Sequence, residues 1–118
     1  MVLTPEEWVR QHVVAFLLYE KKYPKSWINV EKNIKINTID KRYDVVVYNS
    51  NGSIYLLVEC KATDIAITQQ TFDQIARYNM TLQAQYLMVT NGLSHYFCQM
   101  DHGAEKYVFL PDFPAYQQ

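Results

Sequence analysis

The run Ile54-Tyr55-Leu56-Leu57-Val58-Glu59-Cys60-Lys61 constrains the fold of this chain more than any other segment. It is apolar on both faces until Glu59, so it reads as a strand through the middle of a sheet. A central strand normally excludes charge, because a carboxylate or ammonium taken out of water without a partner is strongly disfavoured. This one nevertheless ends on two. Strand alternation puts Glu59 and Lys61 on one face and Val58 and Cys60 on the other, so an acid and a base project side by side.

The other elements are expected around that strand. Thr4-Pro5-Glu6-Glu7 reads as a helix start, with Thr4 as cap, Pro5 at the first helical position and Glu7 where a capping-box carboxylate reaches back. The helix should run to about Lys22, burying a stripe of Trp8, Val9, Val13, Phe16 and Leu17, and Pro24 ends it. Val30, Lys32, Ile34, Ile36 and Thr38 alternate with mostly polar neighbours as a half-buried strand. Arg42 to Tyr48 makes a second strand, and Asn49-Ser50-Asn51-Gly52-Ser53 supplies a hairpin turn. Beyond the central strand, a helix from about Thr68 to Gln83 turns Phe72, Ile75, Ala76 and Leu82 toward the sheet. A strand from Tyr86 to Thr90, stopped by Asn91-Gly92, and two more at about His95 to Gln99 and Lys106 to Leu110 complete the chain.

The expected fold class is therefore α/β of the α+β kind: an αβββαβ core with a central mixed sheet flanked by helices, plus an extra C-terminal strand pair. A chain of 118 residues, 49% hydrophobic, supports one such core. Residues 4–110 are read as a single domain and 111–118 as a short tail.

Composition narrows the function. No run of eighteen apolar residues is present, so no membrane span is expected. The N-terminus lacks the pattern of a secretory signal, and the expected location is cytoplasmic. Cys60 and Cys98 lie in apolar strand-like runs without a CxxC or Cys/His cluster, which favours buried free thiols over a disulfide or a zinc site. The three glycines, Gly52, Gly92 and Gly103, build no phosphate loop, so no ATP site is expected. A net charge of −1 argues against a domain that holds nucleic acid by electrostatic attraction alone. The distribution is less neutral, since residues 1–61 hold nine Lys/Arg against seven Asp/Glu and residues 62–118 hold two against five. Lys21, Lys22, Lys25, Lys32, Lys35, Lys41 and Arg42 carry most of the positive charge, as either a solvated surface or a phosphate-facing patch.

Asp44 begins the strand before the hairpin. Antiparallel pairing through the turn makes partners sum to about 102 or 103, which sets residue 44 opposite residue 59. Asp44, Glu59 and Lys61 can therefore meet. Two carboxylates held close repel, and a hard divalent cation such as Mg2+ relieves that repulsion while keeping waters for chemistry. With a lysine beside them they supply what phosphodiester hydrolysis needs. The competing reading is a strand-end salt bridge between Glu59 and Lys61, with Asp44 a surface acid.

Asp44, then Glu59-x-Lys61 resembles the PD-(D/E)XK nuclease signature. Thr4-Pro5-Glu6-Glu7-Trp8-Val9-Arg10-Gln11, Arg42-Tyr43-Asp44-Val45-Val46-Val47-Tyr48, Val58-Glu59-Cys60-Lys61-Ala62 and Val89-Thr90-Asn91-Gly92 are similar to the N-terminal nuclease domain of type I restriction enzyme R (HsdR-type) subunits. Gln74-x-x-x-Tyr78 resembles the QxxxY element of that subunit and of RecB-like nucleases. The resemblance spans residue 4 to about residue 100, and it departs from the common pattern in having Tyr43 rather than proline before Asp44. It implies a restriction-endonuclease-like fold and a Mg2+-dependent DNA endonuclease of restriction or defence type, with Mn2+ able to substitute. By the same resemblance Asp44 and Glu59 ligate the metal, the Cys60 carbonyl completes the protein side and Lys61 activates water. Gln74 orients Lys61 or contacts the phosphate, Tyr78 supports it, and Glu7 is the helix-borne acid aimed at the metal, unless it serves the capping box. DNA is the implied partner, and a homodimer or a larger restriction complex the implied assembly. The translocase of the type I subunit is not expected within these residues, since they hold no phosphate loop. A non-catalytic DNA-binding or assembly module is the alternative, and a tyrosine-rich protein-interaction domain a third.

Overall fold

The computed structural model describes residues 4–36, 39–112 and 116. In chain order these form helix α1 (Pro5–Ala15), strands β1 (Ile28–Ile36), β2 (Ile39–Tyr48) and β3 (Ile54–Cys60), helix α2 (Gln69–Asn79), and strands β4 (Tyr86–Thr90), β5 (His95–Asp101) and β6 (Lys106–Leu110). The six strands make one sheet in the order β1-β2-β3-β4-β5-β6. β3 lies inside it, with residues 55–60 all buried, as its two apolar faces require. Only the β3–β4 pair is parallel, because α2 carries the chain back across the sheet between them. The result is the restriction-endonuclease-like α+β arrangement, αβββαβ with an added strand pair.

The helices cover opposite faces. Val9, Val13 and Leu17 recur every four residues and bury against Val45, Val47, Val58 and Cys60. Phe72 and Ala76 of α2 pack on Tyr43, Val46, Leu57, Leu87 and Val89, on the other side. Of the expected α1 stripe, Trp8 and Phe16 stay at the rim, 42% and 37% exposed. The helix also ends earlier than its periodicity suggests. After Ala15 it widens into a π-helical turn, Phe16–Glu20, closed by Lys21 N–H donating to the Phe16 carbonyl at 3.1 Å. That turn brings Tyr23 under the sheet, where its N–H donates to the Leu17 carbonyl and its ring meets Tyr55. Tyr23, Tyr43 and Tyr55 are thus core residues. Tyr116 joins them from the expected tail, its hydroxyl donating to the Tyr48 carbonyl at 2.9 Å. The rest of that tail beyond Asp112, and Thr38 of the first expected strand, lie outside the described residues.

Two features of this scaffold prepare the site. β2 pairs with β3 from Val45 onward, whereas residues 39–43 pair with β1, so the β1–β2 hairpin overhangs the end of β3. At the base of that overhang the alternation slips. Val45 and Val47 face α1 while Tyr43 and Val46 both face α2, so Asp44 sits at an irregular step. Opposite it, Glu31 falls between the paired residues Val30 and Lys32 with a left-handed φ of 53°.

The loop after β4 is equally constrained. Gly92 has a φ of 88°, and a Cβ there would stand 3.2 Å from Val9 Cγ2 and 3.3 Å from Trp8, whereas one at Gly52, also at φ 88°, would meet nothing within 4 Å. Both positions resist a side chain, at about 1 kcal/mol for the left-handed backbone alone. Gly92→Ala should therefore lower the melting temperature clearly more than Gly52→Ala, since only the former pushes on α1. Equal losses in thermal melts would show that the α1 contact is loose.

Candidate functional site

The end of β3 is held from both sides. The Asp44 carboxylate accepts a hydrogen bond from the Cys60 N–H at 2.8 Å, taking the place that a β2 carbonyl would fill in an uninterrupted ladder. On the other side Lys61 N–H donates to the Thr90 carbonyl of β4, also at 2.8 Å. In extended backbone the N–H and C=O of one residue point the same way, so the Cys60 carbonyl is directed to the Asp44 side. The register Val45↔Val58 sets Asp44 beside Glu59, as the hairpin arithmetic predicts. Beyond Lys61 the loop is anchored by buried Asn91, whose amide donates to the Ile65 carbonyl while its oxygen accepts from Leu93 and Ser94 N–H.

Asp44 is a costly carboxylate. Burial pushes its pKa above the usual range, and the charges of Glu59 and Glu6 push the same way, against the Cys60 hydrogen bond and Arg10, which lower it. Glu59 is 8% exposed and shares the sheet face of Leu57, under α2. One of its oxygens accepts from Lys41 Nζ at 2.8 Å. The Lys41 ammonium also lies 4.9 Å from the Tyr43 ring centroid and 4.5 Å from that of Tyr78. The charged partner of Glu59 is therefore Lys41, reached from the overhanging part of β2. Nothing in the local sequence marks Lys41, which reads as one of several exposed basic residues.

The remaining expected site residues fall as follows. Lys61 is partly exposed one residue beyond β3, and Gln74 is exposed on α2. Tyr78, one turn later, is the ring over Lys41. Thr4 caps α1 through the Glu7 N–H at 3.1 Å, but the Glu7 carboxylate is held by Arg10 and Gln11 rather than reaching back in a capping box. Glu6 is the helix acid whose charge reaches Asp44. Glu6, Glu7 and Asp44 line one polar cleft of about 300 Å³, together with Thr4, Arg10, Glu31 and Arg42. Cys60 and Cys98 are buried free thiols, and burial first, then Asp44 and Glu59, raises the Cys60 pKa, so its sulfur is inert and only its carbonyl is available.

Among the described residues no three His, Cys, Asp or Glu side chains converge as a ready-made ion cage. The Asp44 carboxylate, which the charge of Glu59 pushes toward its protonated form, the Glu59 carboxylate and the Cys60 carbonyl on the Asp44 side form a sparser all-oxygen set. That chemistry suits Mg2+, which takes one or two carboxylates and fills its remaining positions with water and substrate oxygens.

Two substitutions probe this geometry. The Tyr43 hydroxyl is fully buried and has no hydrogen-bond partner among the described residues, an arrangement that costs about 1–3 kcal/mol. Tyr43→Phe should leave the melting temperature unchanged or raise it, and a clear loss would reveal an unrecognised partner. Asp44→Asn keeps an oxygen for the Cys60 N–H and removes the buried charge. A carboxylate with a raised folded-state pKa binds its proton more tightly in the folded chain, so it costs stability once pH rises above the ordinary Asp range. Asp44→Asn should thus be the more stable protein at neutral pH, with the gap closing as pH falls below that range. A wild-type protein that is the more stable at pH 7 would contradict the burial cost.

A family model described as type I restriction enzyme R protein N terminus matches residues 5–114, which takes in both α-helices and the six strands of the described residues together with Asp44, Glu59 and Lys61. A search of curated proteins finds no significant match. With nearly its whole length matched, the chain belongs to the family of type I restriction enzyme R protein N-terminal domains.

Proposed function

We propose that this chain is a Mg2+-dependent DNA endonuclease module of the restriction type. The observation that supports the reading is the convergence of Asp44 and Glu59 on the end of buried β3, one register step past Val45↔Val58, where the Asp44 carboxylate takes the Cys60 N–H and burial pushes its pKa up. Asp44, Glu59 and the Cys60 carbonyl would hold the ion. When bound, Mg2+ lowers the pKa of a coordinated water and neutralises a phosphodiester oxygen, and Mn2+ can replace it. The protein's own part is positioning and charge. Lys61, beyond the strand on the Glu59 side, orients the attacking water and offsets the negative charge that builds on the phosphate. Gln74 and Tyr78 lie one turn apart on α2; the Gln74 amide steers Lys61 or a phosphate oxygen, and Tyr78 supports the lysine side of the site. One such core cuts one strand, so a double-strand break requires a homodimer, a larger restriction complex or two visits.

One observation favours a second reading, a non-catalytic DNA-binding or assembly module. Lys41 already neutralises Glu59, which a site without metal would need. Cleavage separates the two. Purified protein with Mg2+ or Mn2+ should nick supercoiled plasmid, and Lys61→Ala should reduce the rate by roughly 10²–10³, the loss typical of one electrostatic catalytic group. Absence of cleavage with either ion on supercoiled, linear and single-stranded DNA sinks the nuclease reading. Salt-sensitive binding that survives Asp44→Ala and Glu59→Ala would then favour the second.

A further inference from the structure

The polar cleft beside Asp44 holds an arrangement that the metal chemistry does not use. Arg10 of α1 and Arg42 of β2 both bond the same atom, Oε1 of Glu31 in β1. Arg10 is additionally held by Glu7, so it is anchored from its own helix. Arg42 is 61% exposed and approaches from the overhanging hairpin. Two guanidinium groups brought by different elements onto one anionic oxygen is the geometry with which arginines hold a phosphate. Glu31 presents that oxygen from a break in the β1–β2 ladder, in a left-handed conformation that residues other than glycine resist.

We propose that Arg10 and Arg42 form a subsite for a backbone phosphate of DNA next to the Asp44 end of β3, and that the Glu31 carboxylate occupies it until the nucleic acid arrives. The ligand class is a phosphodiester monoanion, which offers the same kind of acceptor oxygens as the carboxylate it displaces. The local charge supports an ordered event. The cleft sets Glu6, Glu7, Glu31 and Asp44 against two arginines, so an added anion is repelled until Glu31 swings out and a divalent cation offsets the remaining acids. The subsite would then hold a phosphate of the strand entering the site, with the Lys41 and α2 side of β3 left for the rest of the duplex. This inference rests on the nuclease reading for the identity of its ligand and on binding, rather than cleavage, for its test.

The test uses the Lys61→Ala chain, so that the strand stays intact, and follows fluorescence anisotropy of a labelled duplex in Mg2+ across a salt series. Arg42→Ala should weaken binding about tenfold and reduce the salt slope by roughly one phosphate contact, with Arg42→Lys intermediate because it keeps charge without the fork. Glu31→Gln should tighten binding several-fold at every salt concentration by releasing the arginines. Arg42 is exposed, and matched thermal melts of each variant separate a binding effect from loss of the fold. Arg42→Ala without effect, or no binding of duplex at all, overturns the subsite. Weaker binding in Arg42→Ala with no tightening in Glu31→Gln overturns the role of Glu31. Failure of the parent chain to cut DNA refutes the nuclease reading and leaves this measurement to decide the subsite by itself.

Discussion

The Asp44 carboxylate on the Cys60 N–H is the contact on which the rest of this site depends. A strand ladder would satisfy that N–H with a backbone carbonyl at no electrostatic cost. Where a side-chain carboxylate takes that place, β2 skips a step, Glu31 across from it leaves the ladder, and a charge is left half-buried beside two other acids. Each of these is unfavourable locally, and together they concentrate at one end of one strand. Proteins tolerate such breaches of local consistency mainly where function requires them. The well-packed faces on either side of β3, with Val58 and Leu57 both fully buried, supply the stability that the breach consumes.

The slip also decides how the site is approached. Glu59 lies on the α2 face beside Lys41 and Tyr78, whereas Asp44 opens into the cleft on the α1 face. The two acids meet only at the end of β3, beyond the apolar stripes of both helices. Because β3 and β4 are parallel, with Cys60 level with Thr90, their carboxyl ends lie together and the two loops that leave them start side by side. That is the general place for a ligand in an open α/β sheet, and Asn91 keeps the two loops at fixed separation. The overhanging β1–β2 hairpin walls one side of this opening.

Much of this was legible from residue order because it follows from periods and registers. The two-sided apolar run of β3, the turn at Asn49 to Ser53 and the constant sum of paired residues are local rules that place Asp44 by Glu59 without knowledge of the rest of the fold. The same rules place Glu59 and Cys60 on opposite faces, as found. What escaped them depends on irregular backbone. The π-helical turn after Ala15, the left-handed Glu31 and the capture of Glu7 by Arg10 are each the outcome of competing contacts between residues far apart in sequence or differently satisfied. Lys41 is the instructive case. It is 18 positions from Glu59 and lies in a polar stretch, so only the overhang of β2 past β3 reveals that the two meet.

Lys41 also resolves an apparent conflict between a buried acid pair and a chain with net charge −1. Without a cation, Glu59 would be an unpartnered charge at the sheet end, a costly state. Lys41 offsets that cost, and its ammonium also lies 4.9 Å from the Tyr43 ring centroid and 4.5 Å from that of Tyr78. An ammonium cradled by two aromatic faces can give up one oxygen without returning fully to water, because each ring contributes about 0.5–1 kcal/mol or more. The Lys41 ammonium is the counterion of Glu59 in this arrangement, with two aromatic rings beside it. The aromatic pair gives Tyr78, 43% exposed at the flank of α2, a physical role that its sequence pattern alone does not explain: its ring lies against the lysine that neutralises Glu59.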